Sequence, residues 1–595
     1  MSVAATRQVR EELLEPVRRS LGWLLALRDP GGRILCPDHG IEHTGKSACA
    51  AITACVLARL DGAGEGDGLY AAALEQGRRL VHNLQREGTS PCFTFRPGRH
   101  DPFNCSNAVI DGGACSDALA EIVRTFGPRL PAEDRAAFAE ASLLHARTYL
   151  RYAVLDKGIP AQRAWGLSGL AAAFDLERDP DLERAAMESV GQLEAVQNDD
   201  GSYPYHPEVW GGAHPGSADV SAFYQSRVTG FLVFALERLG RDARDPLFAG
   251  PLRRGLRFLR ALHGPDGIKC GLVEAKPWYW GATYEVASHP FDAYALARGG
   301  ELYGEAALGD AAVRAFRAWA AHLLPSGEPR SHLSGPGRGR SYQCPLFWAA
   351  HACWMARALP DLERALRRAP PGPEKPGAGI DLSVTWFPEA ALARLEDGAV
   401  VAWVRGARPR YDVHHGSPHG AGLLRVVRKR DGAELVERCR LGGAQEAEWS
   451  ARAGSPSLAR GRTGLGGELR FSLWLARNHR RAGRHLAAAK APLDVLRRGF
   501  LAFAAPRVSS AFHLAPEVRV LDDGLVLHGG LAWRGGDAVP GARIERRYHL
   551  DGAGLSVSER VVDAGAARGL EYRVPTAASE VEREAGGRAI DYRLG

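Results

Sequence analysis

A connection between two predicted helices, residues 197–227, is dense in side chains that donate, accept or carry protons. It opens on the turn signal Asn-Asp-Asp-Gly and is longer and more polar than a turn requires. Histidine carries protons near neutral pH, aromatic rings pack on the apolar faces of sugars, and guanidinium groups bind carboxylates. The stretch therefore predicts one wall of a saccharide cleft, with His206 in a chemical role and Tyr203, Tyr205 and Arg227 contacting the substrate.

A second polar loop leads into the helical segment CSDALAEIV. Asn104 and Asn107 in this loop could hold a substrate carboxylate through neutral hydrogen bonds, or they could only cap and turn the chain. Two further loops, WYWGATYEVASHP and RGRSYQ, are rich in aromatic and basic groups. They could stack on sugar rings and contact an anion, or the aromatic residues could brace a loop from the core. Their candidate substrate-binding residues are Trp278, Trp280, Tyr284, His289, Arg340 and Tyr342.

Three histidines, His414, His415 and His419, fall within six residues at the start of the last third of the chain. They could supply a proton carrier at His415, a substrate contact at His419 or metal ligands, or they could form a surface turn. No accompanying cysteine or carboxylate spacing identifies a particular metal. A structural divalent metal in this part of the chain is therefore an open alternative, and no other cofactor is expected.

The segment GIEHTGKS, residues 40–47, satisfies the phosphate-binding pattern GxxxxGK[ST]. That pattern needs a buried strand directly before it and a parallel sheet around it. Here only RILC precedes it, and helical hairpins follow. We therefore interpret Thr44 or Ser47 as a helix cap.

The elements that position these residues divide into two kinds. Up to about residue 360, apolar residues recur at i, i+3, i+4 and i+7, which predicts one helix after another. A glycine-centred turn recurs near residues 32, 88, 157, 201, 267 and 327, at an interval of roughly 59 residues that fits a helix pair with its loops. Six such pairs predict an (α/α)6-like toroid, with an open α-solenoid as the alternative.

A Pro/Gly-rich stretch, residues 368–380, is the clearest boundary in the chain. After it the apolar pattern becomes short and alternating, with Gly, Asp and Asn turns, which predicts antiparallel strands. The predicted fold is therefore multidomain α+β, with a toroid domain at 1–367, a linker at 368–380 and an antiparallel β-sandwich domain at 381–595.

The totals exclude several classes of protein. A net charge of +7 over 595 residues is mild and fits either an anionic substrate or an unspecific basic surface. No basic run with interleaved aromatics suggests nucleic-acid binding, and no apolar window of about 18 residues suggests a membrane span. With ten scattered cysteines, no CxxC pair and no export signal, we expect a cytoplasmic protein with reduced, mostly buried thiols.

The order of a helical toroid and an antiparallel β-sandwich resembles the heparinase II/III-like and alginate-lyase group of polysaccharide lyases. In that group a DGS-Y loop leads into a helix whose Tyr-Tyr-Gln-type motif carries the catalytic tyrosine. DGSYPYHPE followed by AFYQSR is similar and places Tyr224 at that position. FNCSNAVIDGG is similar to the group's asparagine loop, with Ala108 where a histidine is expected, and HHGSPHGAG is similar to its Gly-His-Gly-His-x-Asp segment without the aspartate.

The resemblance implies β-elimination at a uronate. Asn104 or Asn107 would neutralise the carboxylate, Tyr224 would act as base, acid or both, and His206 or His415 would supply the other group. A uronate C5-epimerase would use the same proton abstraction without bond cleavage. A glycoside hydrolase on the same toroid would need two carboxylates across the cleft, and a carbohydrate-binding protein without catalysis would need neither. The available carboxylates are Glu208, Asp219, Glu274, Glu285 and Asp292.

Overall fold

The computed structural model describes most of the chain. The described residues are 3–37, 40–61, 66–86, 91–93, 105–212, 217–270, 288–329, 345–368, 382–407, 420–437, 446–454, 507–533 and 536–595, with isolated helical residues between 473 and 489. Contacts divide the chain into two units, Met1–Pro373 and Glu374–Gly595. The linker predicted at 368–380 lies outside the described residues except for Arg368.

The described part of the first unit consists of helices joined by loops with isolated β-bridges. Its helices are α1 (Val3–Ala26), α2 (Thr44–Asp61), α3 (Gly66–Asn83), α4 (Cys105–Phe126), α5 (Ala132–His145), α6 (Arg151–Asp156), α7 (Pro160–Glu177), α8 (Pro180–Ala195), α9 (Ala222–Arg238), α10 (Pro246–Leu262), α11 (His289–Tyr303), α12 (Ala306–Ala321), α13 (Pro345–Ala350) and α14 (Ala352–Arg368). A π-helical turn, Ala146–Leu150, joins α5 to α6.

Six of these helices form a closed inner ring. Around the ring α2 packs on α4, α4 on α7, α7 on α9, α9 on α11 and α11 on α14, and α14 packs back on α2. Helices α7, α9 and α11 are buried along most of their length, whereas the outer helices α10 and α12 bury one apolar face. Ring closure confirms the predicted α/α toroid and contradicts the open solenoid.

Four of the six predicted repeat turns share one geometry, which recurs where an outer helix ends. Gly158, in the turn near residue 157, has no positive φ, and residue 88 lies outside the described residues. In four connections a backbone amide donates across a turn to close it, and the glycine in the turn has a positive φ of 75 to 89°. Each glycine lies against the next outer helix, where an added Cβ would come within 2.1 to 2.7 Å of an oxygen. The glycines and the residues they face are Gly32 on Glu75, Gly201 on Arg254, Gly267 on Arg314 and Gly327 on Arg19. The last pair links α12 back to α1, so the outer layer also closes into a ring.

Buried ion pairs join the C-terminal half of α4 to the last residue of α9 and to α14. Glu121 accepts a hydrogen bond of 2.6 Å from Arg238, and Arg357 donates two bonds of 2.8 Å to Asp117. Burial acts to raise the pKa of Glu121, but Arg238 and Arg357 outweigh it and hold the pKa well below its ordinary value. The toroid is therefore closed by a salt-bridge network at this end.

The second unit is built from antiparallel strands. They are β1 (Ser383–Phe387), β2 (Leu392–Glu396), β3 (Val400–Arg405), β4 (Gly422–Arg428), β5 (Glu434–Glu437), β6 (Glu448–Arg452), β7 (Arg507–Ser509), β8 (Glu517–Val520), β9 (Gly524–Gly529), β10 (Ala532–Trp533), β11 (Ala542–Leu550), β12 (Leu555–Ala564), β13 (Arg568–Arg573), β14 (Ser579–Arg583) and β15 (Ala589–Leu594).

These strands form sheets with the orders β1-β2-β3-β4-β5, β10-β7-β6-β13 and β14-β15-β12-β11-β9-β8. Side chains from all three sheets, including Val404, Trp449 and Tyr548, meet in one apolar core. The predicted antiparallel β architecture is confirmed, and the described strands divide among three sheets instead of the two of a simple sandwich.

Two further predictions concern the chain as a whole. Among the residues described, no helix is both long and apolar enough to span a membrane. Seven described cysteines are buried thiols with no disulfide between them.

Candidate active site at the toroid mouth

The N-terminal ends of the inner helices lie together at one end of the toroid. Inner and outer helices alternate along the chain, so the inner helices run in the same direction and the segments that enter them meet at the same rim. The buried arginine network occupies the other end. The described candidate site residues of the first unit lie in these entering segments or in the first turns that follow. This end is therefore the mouth at which a site can form.

Tyr224 stands at the mouth, in the first turn of α9. Ser221 caps this helix, and its side chain accepts a hydrogen bond from the Tyr224 amide at 3.4 Å. The preceding loop folds back as a hairpin, because Tyr205 N donates to Asp219 O at 2.9 Å and His206 N donates to Ser217 O at 2.8 Å. The hairpin brings the Tyr205 ring to 5.2 Å from the half-buried Tyr224 ring. Two tyrosines predicted at the site are thus adjacent.

Two neighbouring candidates point elsewhere. The Tyr203 amide donates to Gln225 Oε1 at 3.0 Å, and its buried ring lies on the side of the outer helices, where burial raises the pKa well above its ordinary value. His206 lies on the opposite face of the hairpin from Tyr205. Its Nε2 atom is 3.1 Å from Trp210 O, and its ring lies against Gly158. The structure therefore does not group Tyr203 and His206 with Tyr224.

Arg227 is buried one turn below Tyr224. Its guanidinium group lies 3.3 Å from the Phe223 ring centroid and 4.5 Å from that of Phe291, and it donates to Phe223 O at 2.9 Å. The side chain is fully buried. The prediction that Arg227 contacts the substrate is therefore not supported by its position, because the aromatic rings separate it from the mouth. Its positive charge still acts on groups at the N-terminus of α9.

A buried charged cluster fixes the entrance to α9. Asp292 Oδ2 lies 3.0 Å from Lys269 Nζ and 3.1 Å from His263 Nε2, and all three side chains are fully buried. Lys269 also donates to Ala222 O at 3.0 Å and to Ser226 Oγ at 2.6 Å, on either side of Tyr224 in the sequence. Burial acts to raise the pKa of Asp292, but Lys269 and His263 hold it below its ordinary value. The cluster therefore positions the turn that carries Tyr224.

His289 belongs to the same buried cluster. Its Nε2 atom lies 3.0 Å from Gly267 O, and its ring packs edge-on against His263. It is fully buried, so its position favours holding the repeat turn on α11 over the predicted contact with substrate. The sequence analysis did not single out Lys269 or His263. The sequence feature that could have indicated them is the turn HGPDGIK, which begins with His263 and ends with Lys269.

The floor of the mouth combines one ion pair with aromatic rings. Lys46 Nζ lies 3.6 Å from Asp111 Oδ1, and both side chains are almost fully buried. Burial raises the pKa of Asp111, and Lys46 partly offsets that effect. The ring of His351, which the sequence analysis missed, lies 4.9 Å from the Phe291 ring. Lys46 and His351 line a cavity of only about 10 Å³, so the floor is packed between them.

The position of Lys46 also shows that the segment 40–47 does not have the structure of a phosphate-binding loop. α2 begins at Thr44, so Thr44 and Ser47 both lie in its first turn, and Lys46 pairs with Asp111 of α4 inside the toroid. Among the described residues before the pattern, two isolated bridges, Arg28 with Ile34 and Leu35 with Glu42, stand where a buried strand is required. The lysine is therefore a structural partner of a buried carboxylate.

The remaining candidates cannot be placed. They lie outside the described residues, or their side chains do, and their roles stay predictions: Asn104, Asn107, Trp278, Trp280, Tyr284, Arg340, Tyr342, His415 and His419. In the described part of the chain, no three His, Cys, Asp or Glu side chains form a group that could hold a metal ion. The predicted metal alternative rests on the histidines at 414–419, which are not among the described residues.

Comparison with known proteins gives likenesses of fold only. No protein-family model and no curated protein matches this sequence. Cellobiose 2-epimerase from Spirochaeta thermophila DSM 6192 is 16% identical with a TM-score of 0.45, over 61% of this chain and 99% of that one. A glycosyl hydrolase family 88 protein from Bacteroides vulgatus is 12% identical with a TM-score of 0.42, over 60% of this chain and 99% of that one.

A third likeness extends over both units. A Paenibacillus xanthan lyase is 12% identical with a TM-score of 0.49, over 95% of this chain, which spans 46% of the lyase. The names of all three are those of carbohydrate-processing enzymes, an epimerase, a hydrolase and a lyase. At these identities and scores, the toroid assignment rests on the ring closure described above.

Proposed function

We propose that this chain is a carbohydrate-active enzyme that cleaves a uronate-containing saccharide by β-elimination, with Tyr224 as the proton-transferring group at the toroid mouth. The observation that supports this proposal is the position of Tyr224. Its half-buried ring stands at the N-terminus of an inner helix, next to Tyr205 and above a buried guanidinium. Tyr203 and Tyr205 are buried, so Tyr224 is the most accessible of the three predicted site tyrosines that the structure describes.

The surroundings of Tyr224 favour a negative charge on a group placed there. It is the third residue after the cap Ser221, where the exposed amides of a helix N-terminus carry a partial positive charge. The buried Arg227 guanidinium adds a full positive charge one turn further along α9. Phenolate is the form of tyrosine that can act as a base, so both effects serve proton abstraction.

The proposed reaction begins at C5 of the uronate. The Tyr224 oxygen takes the C5 proton, and the electron pair of that C–H bond forms the C4=C5 double bond while the C4–O glycosidic bond breaks. The departing oxygen takes up a proton, which the newly formed Tyr224 phenol can return. Asn104 or Asn107, as the resemblance implies, would hydrogen-bond the carboxylate and stabilise the negative charge that develops.

The alternatives differ in the groups they require. A hydrolase needs two carboxylates facing each other across the cleft. Of the described candidates, Asp292 is fully buried against Lys269, Glu208 is exposed and Asp219 is half-buried. A C5-epimerase would use the same proton abstraction at Tyr224, so it differs from the lyase only in the fate of the glycosidic bond.

One experiment separates these reactions. The full chain is incubated with polygalacturonate, alginate and heparin, and both ultraviolet absorbance and reducing ends are followed. Elimination produces absorbance from the C4=C5 bond together with reducing ends. Reducing ends without absorbance would replace the proposal with hydrolysis. Deuterium from the solvent entering uncut polymer would replace it with epimerisation, and binding without any of these signals would indicate a non-catalytic protein.

A further inference from the structure

The four-stranded sheet of the second unit has two unlike faces. Trp449, Ala451, Val508 and Tyr572 point into the apolar core. Because side chains alternate along a strand, the residues between them face the other way. That outer face borders a groove of about 950 Å³, a volume at the upper end of the range for ligand sites. Its polar lining includes Glu448, Ser450, Arg452, Arg507, Glu571, Arg573 and Arg583.

Several arginines at this groove lie directly opposite one another on neighbouring strands, and their repulsion destabilises the sheet unless an anion neutralises them. Arg452 is directly opposite Arg507 on β7 and directly opposite Arg568 on β13. Like charges in directly opposite cross-strand positions repel. Arg507 has a carboxylate 3.5 Å away, that of Glu448. Among the described residues, Arg452 and Arg573 form no ion pair, although Arg573 is directly opposite Glu448, and both arginines are exposed. An anion bound in the groove would relieve this repulsion.

The acidic side chains in the groove indicate which anion fits. Glu571 is exposed beside the arginines, and a carboxylate accepts hydrogen bonds from the several hydroxyl groups that a saccharide carries between its acidic groups. The two aromatic residues of the groove, Trp449 and Tyr572, are buried in the core, so they offer no surface on which nucleic-acid bases could stack. The groove therefore combines arginine for carboxylate or sulfate with acceptors for hydroxyl groups.

We propose that this groove on the second unit binds an acidic oligosaccharide. The inference goes beyond the proposed function, because it requires binding only and no residue of the toroid mouth. Arg452 and Arg573 supply charge-assisted hydrogen bonds to the acidic groups, and Glu571 accepts from hydroxyls.

The test compares two double variants of the full chain, both in a Tyr224→Phe background so that polymer is not consumed. Arg452→Gln with Arg573→Gln removes two groove charges. Arg519→Gln with Arg547→Gln removes two exposed charges from the six-stranded sheet and serves as the matched control. Binding of polygalacturonate and of heparin is measured by titration calorimetry at several salt concentrations, after circular dichroism has shown that each variant is folded.

The groove variant should bind at least one of the two polymers about tenfold more weakly, as expected for lost hydrogen bonds to charged groups, and the control should bind as its parent does. Equal weakening in both double variants, or in neither, would overturn the proposal. Equally tight binding of single-stranded DNA, lost in the same variant, would overturn the saccharide assignment. If the groove variant unfolds, Arg452→Lys with Arg573→Lys keeps the charge and should lose only part of the affinity. Cleavage is measured separately on the Tyr224-containing chain, so failure of the catalytic proposal leaves this result interpretable.

Discussion

Replacing Asp292 with alanine should destabilise the first unit by about 3 to 5 kcal/mol, because the change leaves a buried ammonium group without its counter-charge. Asp292 Oδ2 lies 3.0 Å from Lys269 Nζ and 3.1 Å from His263 Nε2, with no exposure of any of the three side chains. The lost Coulombic attraction cannot be replaced by water at this depth. The same change should loosen the first turn of α9, since Lys269 donates to Ala222 O and to Ser226 Oγ.

The assay is urea unfolding followed by far-ultraviolet circular dichroism, which reports mainly on the helices of the first unit. The matched control is Glu305→Ala, because the Glu305 carboxylate lies 3.8 Å from Arg253 with both side chains about half exposed, and such pairs contribute less than about 1 kcal/mol. Replacing both charged partners, Lys269→Met with Asp292→Leu, should restore much of the loss. A cost below about 1 kcal/mol for Asp292→Ala would refute the argument that this cluster is a buried, mutually dependent ion pair.

Two further predictions test the repeat turn and a buried histidine. Gly267→Ala should lower the melting temperature clearly more than Gly304→Ala. Both glycines have a positive φ, but only at Gly267 would the new Cβ meet a backbone oxygen, at 2.1 Å. Equal effects of the two substitutions would contradict the packing of the turn on α12. Burial lowers the pKa of His145 to about 3, so the unfolded chain takes up the proton at a higher pH than the folded chain does. The free energy of unfolding should therefore fall as pH drops from about 6.5 towards 3, by at most about 1.4 kcal/mol per pH unit. The melting temperature of His145→Gln should depend less on pH than that of the wild type between pH 6.5 and 4, and an unchanged pH dependence would contradict this assignment.

The fold was predictable because its signals are local and repeated. Helical periodicity, a glycine turn at a regular interval and a change to alternating strands each need only short windows of sequence. Closure of the ring was harder to predict from the sequence. It depends on contacts such as that of Gly327 with Arg19, which joins the turn after α12 to the first helix. A short stretch of sequence looks the same in a closed toroid as in an open solenoid.

The candidate site was predictable in part. The DGSY loop and the start of α9 do bring Tyr205 and Tyr224 together. Side-chain direction was not readable from composition, so Tyr203 and His206, which flank Tyr205 closely, turn out to face other elements. Burial of polar residues could not be predicted either, because the sequence around a residue such as His289 looks the same whether the side chain lines a cleft or lies in a buried cluster.

The central claim is tested most directly by the rate of unsaturated product formation from a uronate polymer in the wild type and in Tyr224→Phe. The matched control is Tyr152→Phe, which removes the same hydroxyl from an exposed ring on α6. Loss of general acid–base catalysis should lower kcat by about 100-fold or more in Tyr224→Phe, with the fold intact and the control at the wild-type rate. A Tyr224→Phe variant that forms the C4=C5 product as fast as the wild type would contradict the assignment of this tyrosine.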